Sequence, residues 1–202
     1  MKSKIAFLFF LLLGLQAKSQ FNISSNTFIQ TYIDGLKCYS INNSSFIYYD
    51  ENTHFIFLKV DFEKFKTATD TIDEWLVDLT DSYLFFKAPL NNDFFLGIGG
   101  NGHKRIKLNG WINLNGVWKE KQLDLDIVSG LSGGAEQRNN KSHFDDYKVN
   151  LNFAFLPKDF KVNKKPHHLK KAIEIVVSMG RINTIQSGMG YQILGEAYTY
   201  HP

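Results

Sequence analysis

The sequence predicts an all-β chain, a barrel or a sandwich of antiparallel strands with one short helix. Three observations predict it. Apolar and polar residues alternate at period 2 through several stretches of the chain. Asn-Gly, the strongest short hairpin signal, stands between two apolar runs. Only one segment carries apolar residues at helical spacing.

The N-terminus reads as an address rather than as structure. Lys2 and Lys4 precede an apolar run from Ile5 to Leu15, and Ala17 and Ser19 stand three and one residues before a cut ahead of Gln20. That is the pattern of a secretory signal peptide over residues 1–19. The run is too short for the ~20 residues of a spanning helix. A single domain over residues 20–202 is expected, exported to the periplasm or the exterior, with no transmembrane segment. The chain has 23 Lys+Arg against 20 Asp+Glu, and losing Lys2, Lys4 and Lys18 with the signal balances them. A neutral mature chain lacks the basic footprint of a nucleic-acid binder. Cys38 is the one cysteine, so no intrachain disulfide can form. Its surroundings hold no His or Lys cluster beyond Lys37, and it is read as a plain thiol. Stability must come from a core, for which 18 Phe supply material.

The elements follow in order. "HFIFLKVDF" places Ile56, Leu58, Val60 and Phe62 on one face of a strand. "DTIDEWLVDL" carries Ile72, Trp75, Leu76 and Leu79 at helical spacing, and Thr71 and Glu74 stand as a capping box. One short helix is therefore expected from about Thr71 to Leu79, bounded by Pro89. "VNLNFAF" presents Val149, Leu151, Phe153 and Phe155 on one face, and "AIEIVVS" presents Ile173, Ile175 and Val177. "GIGGNG", "SGLSGGAEQRNNKS" and "NKKPHH" are loops. No linker divides the chain.

"KLNGWINLNGVW", Lys107 to Trp118, contains Leu-Asn-Gly twice, so two turns compete. With Asn115-Gly116 as the turn, Leu114 faces Val117, Leu108 faces Leu123 and Ile106 faces Leu125. Trp111 then faces Glu120, Asn113 faces Trp118 and Lys107 faces Asp124. With Asn109-Gly110 as the turn, Ile106 faces Asn113 and Leu114 faces Arg105. The second register strands aliphatics opposite polar groups, at roughly 1.5–3 kcal/mol each. Asn115-Gly116 is the predicted turn, and Gly110 lies inside a strand, where glycine often marks a bulge or bend. Lys119 and Lys121 share the apolar parity near the tip. Either both are solvated beyond the core, or Lys119 stands at a cavity mouth facing a ligand's polar head.

At this hairpin the chain resembles the YceI-like family. "GWINLNGVWKEKQLDLDI" is similar to that family's strand-turn-strand, with Gly110, Ile112, Leu114, Gly116, Val117, Lys119 and Leu123 in the matching places. "VNLNFAFLPKDF", ending in Asp159-Phe160, is similar to its next strand, and "KKAIEIVVSM" to its closing one. "IDEWLVDLTDSYLFFKAPL" is similar to its helix and aromatic-proline segment. The resemblance covers roughly Ile72 to Met179. Trp118 replaces the usual Thr, Lys121 an apolar residue, and Lys158 the Ser before Asp-Phe. The resemblance implies a lipocalin-like antiparallel barrel of about eight strands, whose members in some cases hold a quinone or polyprenyl lipid.

A barrel of that size can enclose one apolar ligand. Parity nominates Leu108, Leu123, Leu125, Leu151, Phe153, Phe155, Ile173, Ile175 and Val177 as its lining, with Lys119 at the mouth. The expected function is non-catalytic binding of an isoprenoid or other apolar small molecule, with no cofactor beyond such a lipid. The alternative is an interaction or structural module whose barrel is filled by its own rings. A hydrolase is the weaker alternative. Its "GLSGG" would use Ser132 with Asp159 and His167, but the helix a nucleophile elbow needs has no apolar face after it. "GIGGNG" likewise leads into a strand, not the helix a dinucleotide site requires. His167 and His168 point to opposite faces if extended, among lysines, so no metal is expected. Oligomeric state and the role of "SGMGYQILGEAYTYHP" are left open by the sequence.

Overall fold

The computed structural model describes residues 24–33, 36–64, 70, 73–74, 83–95, 98, 102–129, 147–162 and 172–201, with backbone alone for those between 31 and 44. Eight strands form among them: β1 (Ser25–Ile33), β2 (Leu36–Asp50), β3 (Phe55–Asp61), β4 (Tyr83–Pro89), β5 (His103–Leu114), β6 (Val117–Ser129), β7 (Tyr147–Phe155) and β8 (Ile173–Thr184). They close in sequence order into an antiparallel barrel, β8 pairing with β1. Past the start of β1, Ile47–Tyr49 of β2 pairs directly and in parallel with Ile182–Thr184 of β8. The barrel is thus seven strands around at that level.

The β5–β6 hairpin has the register its sequence dictates. Leu114 faces Val117, Leu108 faces Leu123 and Ile106 faces Leu125, with Lys107, Trp111 and Asn113 opposite Asp124, Glu120 and Trp118. Asn115 and Gly116 carry φ of 55° and 72°, the double positive φ of a type I′ turn. At the decoy, Gln122 donates to Asn109 Oδ1 at 2.7 Å within an unbroken ladder. No bulge or register shift falls at Gly110. What the glycine provides is room: a Cβ there would lie 2.3 Å from the Lys87 carbonyl oxygen and 2.6 Å from Ala88 Cβ. The β4–β5 ladder ends one residue away, at Lys87 and Trp111.

The alternating faces point as expected. Ile56, Leu58, Val60 and Phe62 are buried, as are Val149, Leu151, Phe153 and Phe155 and the trio Ile173, Ile175 and Val177. They join one continuous core inside the barrel. Phe86 of β4 meets Phe153 of β7 at 6.1 Å between ring centres, so rings touch across the lumen. At the end away from the β5–β6 turn, Phe95 sits between Tyr49 (5.1 Å) and Tyr147 (5.3 Å) as a plug. Tyr49 Oη donates to the Leu90 carbonyl and Tyr147 Oη to that of Phe95, so both buried hydroxyls are paired.

Of the helix expected over Thr71–Leu79, only Asp73 and Glu74 are described, and both are helical. Residues 1–19, Ser132, His167 and His168 lie outside the described residues, as does the side chain of Cys38. Two further short helices follow β8: α1 (Gly190–Leu194) and α2 (Glu196–Thr199). The C-terminal stretch that carries them neither closes the barrel nor hangs free. It straps across the outside of β2, β3 and β4, where Ile185, Leu194, Ile193 and Tyr198 pack on Tyr48, Phe57, Phe55 and Phe85.

Candidate ligand site at the hairpin end of the barrel

Strand stagger creates the candidate site. β5 and β6 pair along their whole length, but β6 pairs with β7 only from Asp124–Asn152 to Ser129–Tyr147. Beyond that rung, 121–123 of β6 and 153–155 of β7 face each other with no ladder between them, and 117–120 run past the end of β7. A cavity of about 390 Å³ opens in this gap. Ile112, Phe155, Phe160 and Ala172 contribute its apolar lining, and Lys119, Glu120, Lys121 and Asp159 its polar groups. The floor is fixed locally. Pro157 opens the 3₁₀ turn Pro157–Phe160, which drives Phe160 inward to 2% exposure. Its ring then meets Phe155 edge to face at 5.7 Å.

The sequence-nominated residues separate into two groups. Lys119 and Phe155 come together in this cavity, Lys119 exposed and Phe155 buried. Leu108, Leu123, Leu125 and Leu151 border a void of only about 10 Å³ in mid-barrel, at the lower limit for one water. Phe153, Ile173, Ile175 and Val177 are buried in the same core. Phe160, Ile112, Ala172 and Lys121 are lining residues that were not among those nominated from the sequence. Phe160 had a sequence signal in the Asp-Phe pair that ends the β7 segment. A larger hollow, about 700 Å³, lies on the outer wall of β5–β8. Its lining joins the outward-facing Arg105, Lys107, Asp124, Asp126, Asn150 and Asn152 to Ile106, Leu125, Leu151, Val176 and Val177.

The strap brings a second group of residues to which no pattern or motif pointed. Lys87, on β4, is 2% exposed, and its Nζ donates to the carbonyls of Tyr198 and Tyr200 at 2.8 Å each. These carbonyls lie at the C-terminal end of α2, where a cation is favoured. The ammonium also lies 4.6 Å from the Phe55 ring centre and 5.4 Å from that of Phe57. Burial pushes its pKa below the ordinary lysine value. Lys59 repeats the arrangement, donating to the Ile193 carbonyl at 3.4 Å over the Tyr83 ring, and burial lowers it too. Tyr198 Oη donates to Asp50 Oδ2 at 2.7 Å. Beyond them Tyr200 stacks on Trp118 of β6, 4.0 Å between ring centres and 3° from parallel. Among the described residues no group of three or more His, Cys, Asp and Glu gathers to hold a metal. No described helix is long and apolar enough to cross a membrane.

A closed antiparallel barrel of eight strands, plugged by Phe95 at one end and carrying a cavity toward the other, is a lipocalin-like barrel. Among solved structures it is similar to a polyisoprenoid binding domain from Saccharophagus degradans implicated in plant cell wall breakdown. The two share 12% identity over 76% of this chain and 90% of that one, with a TM-score of 0.56. Burkholderia cenocepacia BcnA aligns over 76% of this chain and 93% of its own at 10% identity and a TM-score of 0.49. The first likeness is one of fold, and at that level the YceI-like resemblance in the sequence holds. No family model and no curated protein sequence matches the chain.

Proposed function

We propose that this is an exported, non-catalytic binding protein that holds one apolar ligand, an isoprenoid or other lipid, at the hairpin end of its barrel. The observation that carries the reading is the cavity of about 390 Å³ in the β6–β7 gap. Its volume falls within the ~300–1,000 Å³ of small-molecule sites, and its apolar floor with few polar groups is their usual make-up. The tail would lie on Ile112, Phe155 and Phe160. The polar head would meet Lys119 and Lys121, and Glu120 and Asp159 favour a head that also donates hydrogen bonds. The shared fold with a protein described as a polyisoprenoid binding domain supports the ligand class.

A filled module without ligand is the second reading, favoured by the Phe86–Phe153 contact and the mid-barrel void of about 10 Å³. Solvent extraction of the purified protein and mass spectrometry separate the two. The carrier reading expects one lipid per chain, or saturable binding of added octaprenyl phosphate that Ala172→Phe abolishes. If no lipid copurifies and octaprenyl phosphate does not bind, the module reading stands instead.

A further inference from the structure

The two edges at the cavity form no ladder with each other but are already in register. Continuing the ladder past Asp124–Asn152 would pair Leu123 with Phe153, Gln122 with Ala154 and Lys121 with Phe155. Free strand edges that face each other in register tend to pair, because each amide and carbonyl gains a partner. Two features of this chain oppose it. Lys121 has inward parity, so zipping the gap would press its ammonium against Phe155 and Ile112, where a charge without a partner is costly. Inward-pointing charges are a known means of keeping strand edges from pairing. Lys121 also stands where the similar strand-turn-strand of YceI-like proteins has an apolar residue. The other feature is the strap. Only three β4–β5 rungs, Phe85–Asn113 to Lys87–Trp111, tie the hairpin to β4. Tyr200, its carbonyl held by Lys87 of β4 and its ring stacked on Trp118 of β6, spans β5 and draws the tip toward β4, away from β7.

We infer that the β6–β7 gap is a lateral gate, kept open by the inward charge of Lys121 and by the Lys87–Tyr200–Trp118 bridge of the C-terminal strap. The gate regulates the site proposed above and rests on that reading for its purpose, though its mechanics do not need a ligand. Hydrogen exchange on the full mature chain, without added lipid, tests it. In the wild type, the amides of 121–123 that point toward β7 exchange as open edge amides. Lys121→Leu, and separately Tyr200→Ala, lower their exchange by about tenfold, the worth of one backbone hydrogen bond each. A second measurement uses Gln122→Cys with Ala154→Cys in a Cys38→Ser background. The pair oxidises to a disulfide faster when Tyr200→Ala is added. Unchanged exchange in both variants, or no acceleration of the disulfide, overturns the gate. Changed exchange in a protein that never binds octaprenyl phosphate keeps the gate and removes the carrier reading.

Discussion

Gly110 shows how much one residue can fix. Its sequence context named it a strand glycine, and the ladder of the hairpin confirms that place. The reason for it is the neighbour, not the strand itself: the β4 backbone passes within 2.3 Å of where a Cβ would stand. Gly110→Val therefore forces β4 aside at a cost of about 1–3 kcal/mol. Thermal unfolding should register this as a lower midpoint, by roughly 2–4 °C per kcal/mol for a chain of this size. An unchanged midpoint would mean that β4 moves freely there. Asn115-Gly116 was legible because turn chemistry and cross-strand pairing agree on it. Lys87 was not legible. A lysine in "YLFFKAPL" looks like any outward strand cation, and its carbonyl partners lie 111 and 113 residues further along the chain.

Among the elements, the hairpins were readable and the strap was not. α1 and α2 are too short to show helical periodicity, and the apolar residues of the C-terminal stretch follow no period. The signal lay in the strands the strap covers. "SFIYYD", "FIFLKVD" and "YLFFKAP" are apolar on both parities, as strands buried on both faces are. Phe55, Phe57 and Phe85 needed a cover, and the strap supplies it. The strap also gives the fold a pH signature. The hydrogen bond to Asp50, with burial, pushes the Tyr198 phenol up to about 12 from an ordinary 10.0. Its contribution to stability is complete below pH 10 and lost as pH rises through about 12. Asp50 is pushed up by burial, but hydrogen bonds from Tyr198, Asn52 and Thr53 outweigh this and hold it below its ordinary 3.8. Its contribution is present above pH 3.8 and lost as pH falls through the lowered folded value. In denaturant titrations across pH, Tyr198→Phe should flatten the alkaline loss and leave less to lose in acid. A variant that keeps both slopes would assign them to other groups.

For the whole molecule, the class of fold followed from period-2 alternation and turn signals, and the resemblance sharpened it to a barrel. The cavity was only half legible. Parity finds which residues face the lumen, but not which of them meet each other across it. Leu108, Leu123, Leu125 and Leu151 close on one another in mid-barrel, while stagger between β6 and β7 leaves Phe155 beside a gap. That stagger is a property of closure, and no single strand encodes it. Leu151→Ala should therefore act as a core mutation, costing about 2–5 kcal/mol without changing the binding of octaprenyl phosphate. If binding falls instead while the fold survives, the ligand reaches mid-barrel.

The direct rungs between β2 and β8 have a consequence for how the molecule bears load. Tension on the N-terminus pulls at Ser25, the end of β1 beside those rungs, and peels a strand of nine residues. That releases about 30 Å of chain at ~3.3–3.6 Å per residue. The ring does not then fall open, since Ile47–Tyr49 still grips Ile182–Thr184. A single-molecule force trace should show one short, low-force step before the main rupture, and Ile182→Pro, which deletes a rung, should merge the two. The first strand is in this sense a stave that can be drawn while the cask still stands.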